Sequence, residues 1–299
     1  MILVTGATGS IGRPLVRRLR ASGVAFRALV RDEARGRALG CDVVVGDLDD
    51  PASIAAALRG VDQLFLNGAG AGPVDGEQPM VRQQTDAIDA ARAAGVERVV
   101  KISVWHAHEG GRLAEGAHWE IEQHLKVSGL RWTVLQPNGF MQNFLTGAGS
   151  FTADRELIGA YGDARVSYID CEDIAACAAR ILTRPRGQDE PGNETFILTG
   201  PQALTHSQIA ERLSAAIGRT IRYRDLPPPE FAATLRAQGL PAAFADDVAA
   251  LHAEVAAGSL AATASAVADL TGRAPRTFDD FLAAHRDDLR ALGRARSVE

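Results

Sequence analysis

The chain has 299 residues, 46% of them hydrophobic and 23% charged, with a formal net charge of -5. That length admits one large α/β domain or a core with a smaller lobe, and the acidic balance argues against a nucleic-acid-binding surface, which would be basic. Cys41, Cys171 and Cys177 show no paired spacing and read as free thiols, buried as small hydrophobes in a reducing compartment. No apolar run is long enough to span a membrane, and the first strand leaves no room for a signal peptide, so a cytoplasmic location is expected.

In MILVTGATGSIGRPL, Ile2–Thr5 reads as a strand, the glycines at 6, 9 and 12 as a tight turn, and Ile11–Leu19 as a helix. Gly6 permits the sharp turn, Gly9 lets backbone approach phosphate oxygens with no Cβ in the way, and Gly12 lets the helix pack closely on the strand. The unpaired N–H groups and positive dipole end of that helix favour a dinucleotide pyrophosphate, cradled by Gly6, Thr8, Gly9, Ser10, Ile11 and Gly12.

Phe26–Val30, Asp42–Gly46, Gln63–Asn67, Arg98–Ser103 and Arg131–Gln136 are short apolar or β-branched runs bounded by turn residues. They alternate with helical patterns over Pro51–Leu58, Met80–Ala94 and Leu113–Val127, which implies α/β class: a doubly wound parallel sheet of Rossmann type. Val166–Ile169 and Thr195–Thr199 read as further strands around a helix at Glu172–Leu182, either extending the sheet or forming a small ribbon. From Thr205 onward helices dominate, at Ser207–Ile217, Glu230–Gln238, Ala243–Ala257 and Thr277–Leu292, with LPPPE at 226–230 as a stiff spacer. The expected organisation is a dinucleotide-binding core over residues 1–140, with 165–200 packed on it, and a smaller, mostly helical substrate lobe from 141–164 and 201–299.

The end of the second strand distinguishes NAD from NADP, because an acidic residue there holds the ribose hydroxyls and an arginine accommodates the extra phosphate. In VRDEARGR, Arg31 comes first and Asp32 next; Arg13, after the third glycine, is a second candidate for the phosphate. The pattern favours NADP(H), while Asp32 leaves NAD open. Asp47 and Leu48, after the third strand, are placed to accept from the adenine amino group and to cover a ring face, with Asp49 and Asp50 as caps of the next helix. Asn67, Gly68 and Ala69 end the fourth strand, where backbone passes close to the cofactor.

GATGSIG, VRD, GDLDDPASIAAAL, GAHWEIEQHLKVSG at 116–129 and LQPNGFMQNF at 135–144 together resemble the NmrA-like, atypical short-chain dehydrogenase/reductase group. YIDCEDIAACAARIL and TFILTGPQALTHSQIAERLSAAIG extend the likeness over nearly the whole chain. The 116–129 segment is similar to the H-x-x-x-E-x-x-L-x-x-S-G stretch of the quinone oxidoreductase type 2 and triphenylmethane reductase branch. That resemblance implies NADPH binding and hydride transfer to quinones or cationic dyes; other NmrA-like proteins serve as redox-sensing regulators. Where the typical short-chain dehydrogenase has Tyr-x-x-x-Lys, this chain has Ala114 and His118. His118 is therefore expected to hold the nicotinamide ribose and, titrating near neutrality, to deliver a proton.

Ser103 ends the fifth strand at the carboxyl edge where ligands collect, either bonding a substrate oxygen or capping the chain. Trp105 and His106 are expected to line the substrate pocket, and His106-x-His108 lacks a third ligand, so no metal is expected. Pro137, Asn138, Gly139 and Phe140 form a cofactor wall in which Gly139 allows close approach, and Phe140, Met141 and Phe144 face the pocket. The leading expectation is an NADPH-dependent reductase of a quinone-like, activated-alkene or cationic small molecule, which needs little acid help. A regulatory NADP-binding protein and a secondary-metabolite tailoring enzyme remain as alternatives. A pocket between the sheet edge and the C-terminal helices favours the enzyme; a long exposed apolar face on Glu230–Ala257 favours the regulator. Neither nucleic acid nor membrane is an expected partner, and the oligomeric state is left open.

Overall fold

Short apolar strands and amphipathic helices alternate from the first residues onward. The computed structural model describes residues 1–74, 76–146, 151–152, 156–185 and 193–289. The first half runs β1 (Ile2–Val4), α1 (Gly12–Ser22), β2 (Phe26–Val30), α2 (Glu33–Arg37), β3 (Val43–Val45), α3 (Pro51–Ala57), β4 (Gln63–Leu66), α4 (Pro79–Ala93), β5 (Arg98–Ile102), α5 (Ala114–Val127) and β6 (Arg131–Pro137). The second half runs α6 (Asn143–Thr146), β7 (Leu157–Gly159), β8 (Arg165–Val166), α7 (Cys171–Leu182), β9 (Glu194–Leu198), β10 (Leu204–Thr205), α8 (His206–Ile217), β11 (Tyr223–Asp225), α9 (Pro228–Ala237), α10 (Ala242–Ala256), α11 (Ala266–Thr271) and α12 (Phe278–Ala284).

Seven strands form one sheet in the order β3-β2-β1-β4-β5-β6-β9, parallel throughout. Val4 stands opposite both Ala28 and Phe65, so the chain reverses its direction of sheet growth at the β1/β4 boundary, the place where such sheets bind ligands. Alternation divides the core. Ile2, Val4, Ala28 and Val100 face α1, α7 and α11, whereas Leu3, Leu29, Leu64 and Val99 face α3, α4 and α5.

β9 extends the sheet beyond β6, from Thr133 opposite Glu194 to Pro137 opposite Leu198. β8 instead pairs antiparallel with β10 in a two-stranded ribbon, so both readings left open for this region occur in the same segment. The five-residue α2 carries no apolar periodicity that would announce it; the Asp32 carboxylate nucleates it by accepting from Ala34 and Arg35 N–H groups. Parallel pairing of β7 with β11 is equally invisible locally, because the partners lie far apart in the chain.

In the lobe, Met141, Phe144 and Leu157 pack with α8 and α12, while Ile158, Leu226 and α9 pack on α10. The helix expected at Thr277–Leu292 is observed as α12 followed by a further helical turn at 286–289; its last residues, 290–292, lie outside the described residues. So do 147–150 and 153–155 of the expected pocket loop Met141–Tyr161. Cys171 and Cys177 are buried on α7, Cys41 is half-buried, and all are free thiols. No helix among the described residues is long and apolar enough to cross a membrane.

Candidate active site

The glycine turn shows which of its glycines the protein itself demands. Gly6 has φ +61°, and a Cβ there would lie 2.8 Å from the Asn67 carbonyl oxygen. One at Gly12 would lie 2.1 Å from the Gly6 carbonyl oxygen. At Gly9, by contrast, a Cβ would meet only that oxygen, at 3.3 Å, so its glycine leaves open space in front of the turn. Thr8, Gly9 and Ser10 are exposed and no side chain caps α1 at Ile11; Arg13 N donates to the Gly9 carbonyl at 3.1 Å and Pro14 has no N–H, so the helix-end N–H groups left for an anion are those of Ile11 and Gly12. These features fit a dinucleotide pyrophosphate. Thr5 Oγ1 donates to the Asn67 carbonyl at 2.7 Å and accepts the Asn67 N–H at 2.8 Å, pinning β1 to β4 under the cradle.

At the adenosine end, Asp32 is turned into the α2 N-terminus, Oδ1 accepting from Ala34 N at 2.8 Å. Arg31 is exposed at the end of β2; hydrogen bonds from Gln83 and Arg82 lower the Asp49 carboxyl's pKa, and the charge of Arg31 adds the smallest contribution. Arg13 Nε donates to the Thr8 carbonyl at 2.8 Å and braces the turn. Asp47 Oδ1 accepts from Asp49 N, and Asp50 caps α3; Leu48 and Gly68 are half-buried side by side, a Cβ at Gly68 falling 3.6 Å from Leu48 Cδ1, and Ala69 is exposed.

Beneath the carboxyl edge, β5 and α5 face one another through polar side chains. Lys101, wholly buried, donates from Nζ to the Ile102 carbonyl at 3.0 Å and sits 2.8 Å from His118 Nδ1. Burial lowers the Lys101 pKa to about 7, and the nearby Glu122 opposes that shift. His118 is pushed well below its ordinary value by burial and by Lys101. It is therefore neutral at neutral pH and is no imidazolium donor there, contrary to the sequence expectation. Ser103 Oγ donates to Glu122 Oε1 at 2.5 Å, and Gln136 Nε2 donates to the same oxygen at 2.9 Å. The Ser103 proton is thus directed under the sheet instead of at a substrate.

Above that edge lies a cavity of about 310 Å3, lined by Trp105, Glu115, Phe140, Tyr161, Tyr168 and His252 among others. Val104 and the Pro137–Phe140 loop form its floor, and Leu251, Val255 and Leu260 close the far side. Burial, assisted by Glu254, pushes the Glu115 carboxyl up to about 7 against the opposing effect of His108.

Several expected pocket residues serve elsewhere. His106 Nε2 donates to the Ser259 carbonyl at 2.8 Å and stacks on Trp105, fastening that loop to the lobe. His108 bonds the Glu109 carbonyl, and no group of three or more metal-ligating side chains occurs among the described residues. Met141 and Phe144 are buried in the lobe's own core, because the chain turns inward after Phe140. Asn138 Nδ2 donates to Ser167 Oγ and the Leu260 carbonyl, and its Oδ1 accepts from Gly139 N, so this side chain knits core to lobe. The space at Gly139 is filled by the Tyr168 ring: a Cβ there would lie 2.6 Å from Tyr168 Cε1. Tyr161, Tyr168 and His252 carried no local signal, and Glu122 stood in the quoted H-x-x-x-E stretch with no role assigned to it. An unusual lysine within the apolar run RVVKI was the best available hint.

Fold and site define a Rossmann-type oxidoreductase for a nicotinamide dinucleotide. The family model described as the NmrA-like family matches residues 1–282, and the chain belongs to that family. It is 37% identical over 290 residues to the NAD(P)H azoreductase of Xenophilus azovorans, covering 95% of this chain and 98% of that one. With the (4-alkanoyl-5-oxo-2,5-dihydrofuran-3-yl)methyl phosphate reductase of Streptomyces griseus it shares 34% over 291 residues, 96% of this chain and 98% of the other. Among solved structures, the NADPH-dependent quinone oxidoreductase of Escherichia coli complexed with NADPH aligns with a TM-score of 0.81 at 30% identity, covering 95% of this chain and 99% of that one.

Proposed function

We propose that the protein is an NADPH-dependent reductase that passes hydride to a flat, conjugated, electron-poor small molecule: quinone-like, azo, activated-alkene or cationic. The observation that carries this reading is the aromatic-lined cavity lying over the carboxyl edge of β5 and β6, beside the dinucleotide cradle. Gly6, Thr8, Gly9, Ser10, Ile11 and Gly12 would hold the pyrophosphate, Arg13 and Arg31 the adenosine phosphate, and Asp47, Leu48, Asn67, Gly68 and Ala69 the adenosine side. His118 Nε2, whose partner nitrogen is engaged by Lys101, would face the nicotinamide ribose. When bound, the reduced nicotinamide supplies hydride. Trp105 and Phe140 offer aromatic faces that orient a planar acceptor, and Leu251, Val255 and Leu260 exclude water.

The relatives named as azoreductase, butenolide-type reductase and quinone oxidoreductase support the same class. The regulatory alternative called for a long exposed apolar face on α9 and α10, and the exposed large hydrophobics among the described residues are Met1, Val45, Val127 and Ile197. A reductive tailoring step would use the same site. The test is NADPH absorbance decay with purified protein and a panel of quinones, enones, azo dyes and cationic dyes, with NADH in parallel. Saturable oxidation with NADPH preferred is expected. Tight nucleotide binding with no oxidation by any acceptor would overturn the reading in favour of a sensor.

A further inference from the structure

Tyr161, Tyr168, His206 and His252 converge on one wall of the cavity. Tyr161 is sandwiched between the two imidazoles, its ring centroid 3.8 Å from that of His206 and 3.9 Å from that of His252. Tyr161 Oη lies 2.7 Å from His252 Nε2 and Tyr168 Oη lies 3.0 Å from His206 Nε2, and the two phenols are near enough for each to affect the other's pKa. Tyr161, Tyr168 and His252 line the cavity, with His206 buried behind them.

Counting protons shows what this cluster can give away. His252 Nδ1 accepts from the Ala160 N–H, at 3.4 Å, so its proton sits on Nε2 and is donated to Tyr161 Oη. His206 Nδ1 is buried without a partner. A bare lone pair there is less costly than a bare N–H, which places the His206 proton on Nε2, donated to Tyr168 Oη. Each phenolic oxygen thus accepts from an imidazole, and two phenolic protons remain. At most one of them is taken up by the facing phenol. The other has no acceptor among the described residues and has the cavity in front of it. Because the Tyr168 ring rests on Gly139, at the carboxyl end of β6, Tyr168 is the tyrosine nearer the reacting edge of the sheet.

Resting on the reading that a conjugated acceptor is reduced in this cavity, we propose that Tyr168 is the proton donor, replacing the tyrosine absent at position 114, with Tyr161, His206 and His252 as positioning residues. As hydride bonds to one end of the acceptor's double bond, the π pair moves to the other end, and that atom takes the Tyr168 proton. The phenolate left behind is held by the His206 N–H and the Tyr161 O–H, and it regains a proton from water when the product leaves. Burial raises both phenols above their ordinary pKa, so each is protonated throughout the neutral range.

Tyr168→Phe removes the hydroxyl and keeps the ring. With a neutral azo dye as acceptor, kcat should fall about 100-fold or more, the usual scale for losing a general acid, while KM and the NADPH Kd read by fluorescence titration stay unchanged. A cationic triarylmethyl dye takes hydride alone, so the ratio of azo to cationic turnover should fall by about that factor. Tyr161→Phe should show a smaller azo-specific loss. In wild type, a solvent deuterium isotope effect is expected on the azo dye and none on the cationic dye, a readout that needs no variant to fold. Retained azo turnover in Tyr168→Phe, equal losses on both dyes, or no isotope effect would overturn the assignment. Failure of the wild type to oxidise NADPH with any acceptor would instead overturn the reductase reading, and it is seen before any variant is made.

Discussion

The dinucleotide cradle and the acceptor cavity sit side by side on one edge of the sheet and are built by opposite means. The cradle is backbone, drawn from the contiguous run Gly6–Gly12, where what matters is the absence of side chains. The cavity is side chain, drawn from Val104–Trp105, Pro137–Phe140, Tyr161–Tyr168 and Leu251–Leu260. A cradle of this kind is broken by adding atoms, and where the added Cβ meets open space, as at Gly9, the fold stays intact. A cavity of the other kind is broken by removing single functional groups, because no local segment builds it.

Adding atoms to the cradle is expected to have the largest effect, and position decides its kind. Gly12→Val forces a Cβ to 2.1 Å from backbone oxygen and should prevent folding. At Gly9 the added Cβ meets only one protein atom, at 3.3 Å, and Gly9→Val should fold with a melting temperature close to wild type. Its Cβ fills the space reserved for phosphate, so NADPH affinity should fall about 100-fold or more, the loss expected when several charge-assisted N–H bonds are blocked. Fluorescence titration alongside a thermal melt separates the two outcomes. A Gly9→Val protein that still bound NADPH normally would break the contrast between backbone cradle and side-chain cavity.

A smaller, selective effect should come from Arg31→Ala. Asp32 is engaged as the α2 cap, so the charge left at the end of β2 is the Arg31 guanidinium. Losing one charge-assisted contact to the adenosine phosphate should weaken NADPH about tenfold and leave NADH unchanged. Equal losses for both nucleotides would remove the phosphate role and return NAD to consideration.

How much of this was legible in the sequence follows the same division. TGATGSIG, the strand runs and the helical periods between them specify the parallel sheet and the switch point, because each is a short-range pattern. The partner of His118 was not legible. Lys101 lies on a different element, and only their packing, 2.8 Å apart, shows that His118 is held neutral. The same holds for Tyr168: its segment, YIDCEDIAACAARIL, marks the family but carries no spacing that points across the chain to His206. Gly139 illustrates how a correct residue acquires the wrong reason. Close approach was expected from the cofactor, and the structure fills that space with a tyrosine ring. Met141 and Phe144 were misplaced because an apolar run after a strand reads alike whether it turns toward a pocket or into a core.

The last effect should come from the floor that the two halves share, and it is a change in stability with pH instead of in binding. Lys101 is buried with His118, Glu122 and Ser103 around it, and its pKa falls from 10.5 to about 7. Between those values the unfolded chain binds the proton and the folded protein does not, so stability rises with pH across that window. Below about 7 both states are protonated, and the full cost of burying the ammonium is present. Lys101→Met keeps the length and removes the charge. The variant should therefore be the more stable protein at pH 6, and its advantage over wild type should shrink by about 2–3 kcal/mol by pH 9, on the scale of about 1.4 kcal/mol per pH unit. Urea melts of both proteins at the two pH values measure that change directly. A constant gap would mean that Lys101 stays charged in the fold, paired with Glu122, and that His118 answers to an ammonium in place of a neutral amine.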